Sequence, residues 1–453
     1  MSADERGSGF GAALDRVGAE LSERRTPLAM ALAAFALLMT YRGLHQPTHS
    51  YAAVGVAMLL VARAVALGRT FGGRHLAGSV ALLVAARAAD TGEHALVAWT
   101  AVAAAGAVAG LPRRPPPPGD IDDRRHVWAL VDSTAGDTLA PFVLRTDKAY
   151  VFSPDRQAAI AFRVRLGTAI ASGDPVGAPS SYAAAVDEFV RHADENGWRV
   201  AVLGASPRSL PLWRDQGLWG LSIGRDVRVD VPSFALEGRR FRNLRQAVQR
   251  SHNAGVTTEI VSERDIDDTL RGELLDVMTA AGKGNQTRGF AMILDQPLTG
   301  VLPGMLVAYA RSASGQVVAF HRYATADAGR EFSLDVPWRR PGAPNGVDER
   351  LIVDTLEWGA ARGARSLSLA FAAFPDLFEL QRRNIAQRAA YRAVHLLDRF
   401  IRLESLYRFV RKFHSFGDER YVAFRPYQVA FVATTALMLE FSSPRRSRRR
   451  TGH

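Results

Sequence analysis

Four apolar runs in the first quarter of the chain constrain its fold more than any other feature: Pro27–Leu44, Tyr51–Leu67, His75–Ala89 and Ala95–Leu111. A bilayer core is about 30 Å thick and takes roughly 17–25 helical residues to cross. The first, second and fourth runs meet that length; the third is shorter and contains Arg87, while Arg63 interrupts the second. An arginine near a helix end can extend to the headgroups, so neither excludes a span. The expectation is an all-α bundle of about four transmembrane helices over residues 26–111, after a segment 1–25. Arg24 and Arg25, Arg69 and Arg74, and Arg113 and Arg114 lie on one side of that bundle; the opposite loops hold little beyond Arg42 and Arg87. The positive-inside rule then predicts a multi-pass cell-membrane protein with everything after Leu111 in the cytoplasm.

Composition narrows the chemistry. The 453 residues include no cysteine, which excludes disulfides, cysteine-based zinc or iron–sulfur sites and a thiol nucleophile. A net charge of +12 favours a polyanionic partner, either nucleic acid or an anionic membrane surface. Arg113, Arg114 and Pro115–Pro118 give residues 112–125 the character of a stiff basic linker, and residues 442–453 form an arginine-rich tail. Residues 126–441 read as mixed α/β. Strands are predicted at Ala149–Phe152, Ala158–Arg165, Trp198–Leu203, Val227–Val231 and Ser366–Ala370, and a hairpin turning at Ser312–Gly315. Helices are predicted at Tyr182–Asn196, Ile266–Ala281 and Gly346–Arg362, giving two successive α/β units.

Three short motifs carry little. Gly220–Gly224 matches the G-x-S-x-G nucleophile elbow, but the residues after it read as strand where that elbow needs a helix. His414 and Asp418 could pair on a helix, yet Gly417 argues for a bend and a surface histidine. Gln286–Ala291 fits a loose pyrophosphate-cradling pattern without a clear helix after it. The segment Arg239–Arg250 is more informative. Phe241, Leu244 and Val248 share one helical stripe, and the arginines around it, Arg242, Arg245 and Arg250 among them, suit bidentate phosphate contacts. Asp335 ends a strand, and Pro344-Asn345-Gly346 opens a helix, the places where α/β proteins gather ligand groups.

Taken in order, Arg242–Arg250, Ala343-Pro344-Asn345-Gly346 with Glu349, Leu403–Arg408 with Lys412-Phe413, Arg420-Tyr421 and the earlier Ser172-Gly173-Asp174-Pro175-Val176-Gly177 resemble the C-terminal catalytic domain of the phosphatidylglycerol lysyltransferase family, in its actinobacterial branch. The resemblance runs from about Asp120 to Phe441. It implies a tandem acetyltransferase-like (double GNAT) domain that moves an amino acid from aminoacyl-tRNA to the hydroxyl of phosphatidylglycerol, an anionic phospholipid. Trp338 stands where the family commonly has an arginine, with Arg339 next along. The reaction it implies is a transesterification of an already activated ester, so the chemistry requires neither cofactor nor metal. The expected catalytic residues are Asp335, Glu349 and Lys412. Asp174, Asn345, Arg339 and Arg420 are expected to bind substrate, and Arg242, Arg245 and Arg250 the phosphates of tRNA or lipid. Two other readings stay open: an acyl-CoA-dependent acyltransferase, and a catalytically silent membrane module that binds tRNA or anionic lipid.

Overall fold

A computed structural model describes residues 112–282, 293–373 and 409–441, together with residue 104. The four apolar runs, residue 104 apart, and Gln286–Ala291 lie outside the described residues. Among the described residues no helix is long and apolar enough to cross a membrane. The chain divides into two compact units, Met1–Pro115 with Val190–Arg199, and Pro116–Phe189 with Val200–His453. The second is described below.

Helix α1 (Ile121–Ser133) opens it, with the Asp120 carboxylate accepting from the Asp122 and Asp123 N–H groups. There follow β1 (Ala149–Phe152), β2 (Ala158–Arg165), β3 (Thr168–Ser172), the short β4 (Val176–Gly177), α2 (Tyr182–Glu195), β5 (Arg199–Ala205), α3 (Leu210–Asp215) and β6 (Trp219–Asp230). The later part contributes α4 (Arg242–Asn253), β7 (Thr257–Ser262), α5 (Asp268–Ala281), β8 (Met305–Arg311), β9 (Val317–Ala326), β10 (Glu331–Arg339), α6 (Val347–Ala360), β11 (Ser366–Ala373), β12 (Phe416–Phe424) and α7 (Val429–Phe441). Mixed α/β architecture is thus as expected. Gly220–Gly224 falls inside β6, which leaves no strand-to-helix elbow there.

The strands form one sheet in the order β1-β2-β3-β5-β12-β6-β11-β10-β9-β8-β7, with β4 on β2. A pattern repeats within it. Strands β1 and β3 each pair antiparallel with β2 between them, α2 follows, and β5 returns beside β3. Strands β8, β9 and β10 are likewise antiparallel, α6 follows, and β11 returns parallel to β10. The two α/β blocks share the sheet because β12 crosses back to lie between β5 and β6.

Strand β9 is buried along its whole length because helices cover both faces of the sheet there. One face packs Tyr323, Phe332 and Leu334 against Leu351, Ile352 and Leu356 of α6 and Leu244 of α4. The other packs Phe320, Val336 and Trp338 against Leu274 and Val277 of α5. On β10 the core side switches between Leu334 and Val336, where the β9 register shifts at Asp335. An extra residue at that point breaks the two-residue alternation of side chains, as a bulge does. Trp338 therefore lies in the core, stacked on Phe320 at 6.5 Å, while Arg339 emerges at the strand end.

Candidate active site

Helix α4 carries its apolar stripe inward through Leu244 and Ala247, with Val248 partly buried against the same core. The helix crosses the start of α6 at very short range. Gly346, at the N-cap of α6, has φ +89°, and a Cβ there would stand 2.0 Å from the Ala247 carbonyl oxygen. Only glycine meets both demands, a left-handed backbone and room for a neighbouring carbonyl. The Pro344-Asn345-Gly346 turn therefore fixes where α6 begins relative to α4.

At that junction a cavity of about 380 Å³ is lined by Arg250 from α4, Arg339 from β10, Asn345, Gly346, Asp348 and Glu349 at the start of α6, and Phe409 and Lys412. Two acids in the first turn of a helix are favoured by its dipole, and the cavity offsets them with three cations. The Lys412 ammonium donates to Glu349 Oε1 at 2.6 Å. The Arg339 guanidinium donates to Asp348 Oδ2 at 3.1 Å. The other oxygen, Asp348 Oδ1, lies 3.2 Å from Nε2 of His321, a histidine buried on β9. His321 Nδ1 in turn meets the Tyr323 hydroxyl at 3.2 Å. The two ring nitrogens of His321 thus bridge the carboxylate and the tyrosine. Burial works against ionisation of Asp348, but the hydrogen bond and charge of His321, and then Arg339, outweigh it and the carboxyl pKa is lowered. The result is a carboxylate held ionised beside a cation–anion pair.

Five of the residues singled out from the sequence thus meet in one cavity: Arg250, Arg339, Asn345, Glu349 and Lys412. The others do not line it. Asp335, at the bulge, is fully enclosed; it accepts from Arg322 Nη1 at 2.8 Å and from the Leu294 N–H at 2.7 Å. Arg322 also binds Glu263 at 2.5 Å, so the bulge carboxylate belongs to a buried triad. Burial raises the Asp335 pKa, with Arg322 offsetting part of the effect. At Arg322 burial opposes the charge, and Asp335 and Glu263 more than restore it. Asp174 and Arg420 lie in a second buried cluster. Asp174 accepts from the Ser206 N–H at 2.8 Å and from the Ser209 hydroxyl, and burial followed by the nearby Asp137 raises its pKa. Arg420 donates to Asp226 at 2.7 Å and Asp137 at 2.8 Å and to the Gly204 carbonyl. Arg242 is exposed on α4, whereas Arg245 is turned to the Leu236 and Gly238 carbonyls and pins that loop. His414 sits in a left-handed turn, its Nε2 3.1 Å from the Arg240 carbonyl. Among the described residues no group of His, Asp and Glu is arranged to hold a metal.

Three cavity features escaped the sequence reading: Asp348, Phe409 and the buried His321 behind Asp348. Asp348 carried a usable signal, an acid in the first turn after a Pro-Asn-Gly opening. His321 carried none, since its partner is 27 residues away and reaches it only across the sheet.

Comparison with known proteins settles the family. The model for the C-terminal region of phosphatidylglycerol lysyltransferase matches residues 128–424, which contain every residue of the cavity. The chain belongs to that family. An MprF-like domain protein of Mycobacterium tuberculosis, Rv1619, is 45% identical over 396 residues, covering 86% of this chain and 81% of its own. The lysylphosphatidylglycerol biosynthesis bifunctional protein LysX of Gordonia bronchialis is 32% identical over 311 residues; the match covers 67% of this chain but only 27% of LysX. In fold, the family domain is like the C-terminal DUF2156 domain of an Agrobacterium fabrum protein, with a TM-score of 0.61, 24% identity, and coverage of 71% of this chain and 98% of that one. It is also like L-PGS from Bacillus licheniformis, with a TM-score of 0.58, 20% identity, and coverage of 72% and 99%.

Proposed function

We propose that this chain is an aminoacyltransferase that moves an amino acid from aminoacyl-tRNA to a hydroxyl of phosphatidylglycerol, working from the cytoplasmic side of the cell membrane on a tandem acetyltransferase-like domain. The observation that carries this reading is the α6 cavity, in a chain of this family. It offers an anion held ionised for an ammonium, a carboxylate paired with an ammonium for proton transfer, and arginines for phosphate.

In the proposed step the lipid hydroxyl oxygen attacks the ester carbonyl carbon. The bond from that carbon to the tRNA ribose oxygen breaks, and the proton from the lipid hydroxyl ends on the ribose oxygen. Glu349 carries the proton from one oxygen to the other, and Lys412 stabilises the negative charge that develops on the carbonyl oxygen. Asp348 has the opposite character. A carboxylate whose pKa is lowered is a poor base and a good anchor for a cation, so it holds the α-ammonium of the amino acid. Asn345 orients the ester, and Arg250 and Arg339 take phosphate oxygens of tRNA or lipid. Asp335 and Arg420 are committed to buried ion clusters outside the cavity lining, and in this mechanism they tie strands of the sheet together.

The test is to supply membranes holding the chain with labelled aminoacyl-tRNAs and chromatograph the lipids. The expected result is an RNase-sensitive aminoacyl-lipid that falls about 100-fold in both Lys412→Ala and Glu349→Gln. Labelling that depends on acyl-CoA and ignores RNase would replace this reading with the acyltransferase one.

A further inference from the structure

The last described helix has a face that an ordinary surface helix does not. α7 packs Val432 and Leu439 inward against Ile170, Leu203 and Phe424. Its outward side carries Val429, Ala433 and Leu437, four residues apart on one stripe, with Met438 beside them. Val429 is 53% exposed and Leu437 45%, and from Val429 to Leu439 the sequence has no charged residue. A surface helix normally turns charge to water, and one that is apolar all round is normally buried. Two exposed aromatic side chains lie close to the helix. Tyr427, just before the helix, is 74% exposed. Trp219 is 53% exposed at the start of β6, set edge-on against Phe424 at 5.8 Å, and Leu221 follows it on the strand. Clustered exposed apolar side chains of this kind mark an interaction surface.

We propose that this surface docks on the headgroup–acyl boundary of an anionic lipid leaflet. Thirteen residues make a helix of roughly 20 Å, too short to cross a 30 Å core but suited to lying in the interface. Tyrosine and tryptophan are the side chains that settle at that boundary. Charge selects the occupant: within nine residues of Phe441 the chain carries Arg445, Arg446, Arg448, Arg449 and Arg450, and Arg425 precedes the helix. A second copy would bring two arginine tracts together, whereas an anionic leaflet attracts one, at about 1 kcal/mol per basic residue. The inference deepens the lipid-acceptor reading above by giving the described domain its own lipid contact.

Because the chain has no cysteine, single thiols can be placed cleanly at Leu437→Cys, Val429→Cys and, as a control on the β8–β9 turn, Ser314→Cys. Each full-length variant is labelled with an environment-sensitive fluorophore and mixed with phosphatidylglycerol vesicles containing lipids spin-labelled high on the acyl chain. The expected result is blue-shifted emission, severalfold quenched, at 437 and 429 and none at 314. The quenching should be lost in phosphatidylcholine vesicles. Red, unquenched emission at 437 and 429 would overturn the proposal in favour of water. Blue but unquenched emission would overturn it in favour of a protein cover, another segment or a second copy. Equal quenching in phosphatidylcholine would overturn the anionic assignment. Leu437→Glu at an exposed position should keep the fold and abolish quenching at 429. The readout is optical, so failure of aminoacyl transfer would leave it unaffected.

Discussion

Asp348 and His321 show how a side chain acquires a role from its neighbours. Asp348 accepts one hydrogen bond at each oxygen, from His321 and Arg339, and a carboxylate retains further lone pairs for a ligand. Asp348→Asn keeps the shape and removes the charge. Wild-type protein should discriminate strongly between aminoacyl-tRNA and its N-acetyl form, which has no ammonium. Asp348→Asn should lose most of that discrimination, about 10-fold or more, chiefly through KM; competition between the two tRNAs measures it. His321 acts through Asp348 as a positioning residue, and its effect has a sign in pH. Because the folded pKa of Asp348 is lowered, its ionised form adds stability above the ordinary carboxylate value of about 3.9, and that stability is lost as pH falls through the lowered folded value. Replacing His321 with an apolar residue of similar size removes the leading lowering influence, so acid unfolding should begin at a higher pH than in wild type. Tryptophan fluorescence on acid titration checks this. An unmoved transition would mean that His321 does not hold the carboxylate.

At the scale of elements, the cavity depends on two close approaches. The α4–α6 crossing rests on Gly346, so Gly346→Ala meets both a left-handed backbone and the Ala247 carbonyl. It should cost roughly 2 kcal/mol or more, read from urea denaturation. The β10 bulge rests on the buried Glu263–Arg322–Asp335 triad. Arg322→Met leaves two acids enclosed without a cation and should destabilise by roughly 3–5 kcal/mol at neutral pH. That deficit should shrink in acid, where the carboxyls become neutral. α4 separates two kinds of arginine. Arg242→Ala should weaken tRNA binding and reduce the salt slope by about one, with stability unchanged. Arg245→Ala should instead loosen the loop at 236–238, because its guanidinium is already committed to two carbonyls there.

In the whole molecule, local order and long-range order differ in how far the sequence shows them. Local structure was legible. The 3.6-residue stripe of α4, the hairpin turn at Ser312–Gly315 and the helix following Pro344-Asn345-Gly346 are set by short-range periodicity and turn chemistry, and they stand within a few residues of where the letters put them. The family was also legible, because several motifs recur in order. What the letters could not rank was the charged residues. Asp335 and Glu349 both looked like site carboxylates, and Arg420 and Lys412 both looked like site cations. Strand pairing put one of each pair in an enclosed ion cluster and the other at the cavity. The physical reason is that helices, strands and turns follow from contacts a few residues apart. Whether a charge faces a cavity or a counter-ion follows from partners brought from distant strands, and from a single-residue bulge that changes which side of the sheet a side chain occupies. The main elements and the family follow from the order of the letters, and which of the many charges share a site follows from how distant strands pair.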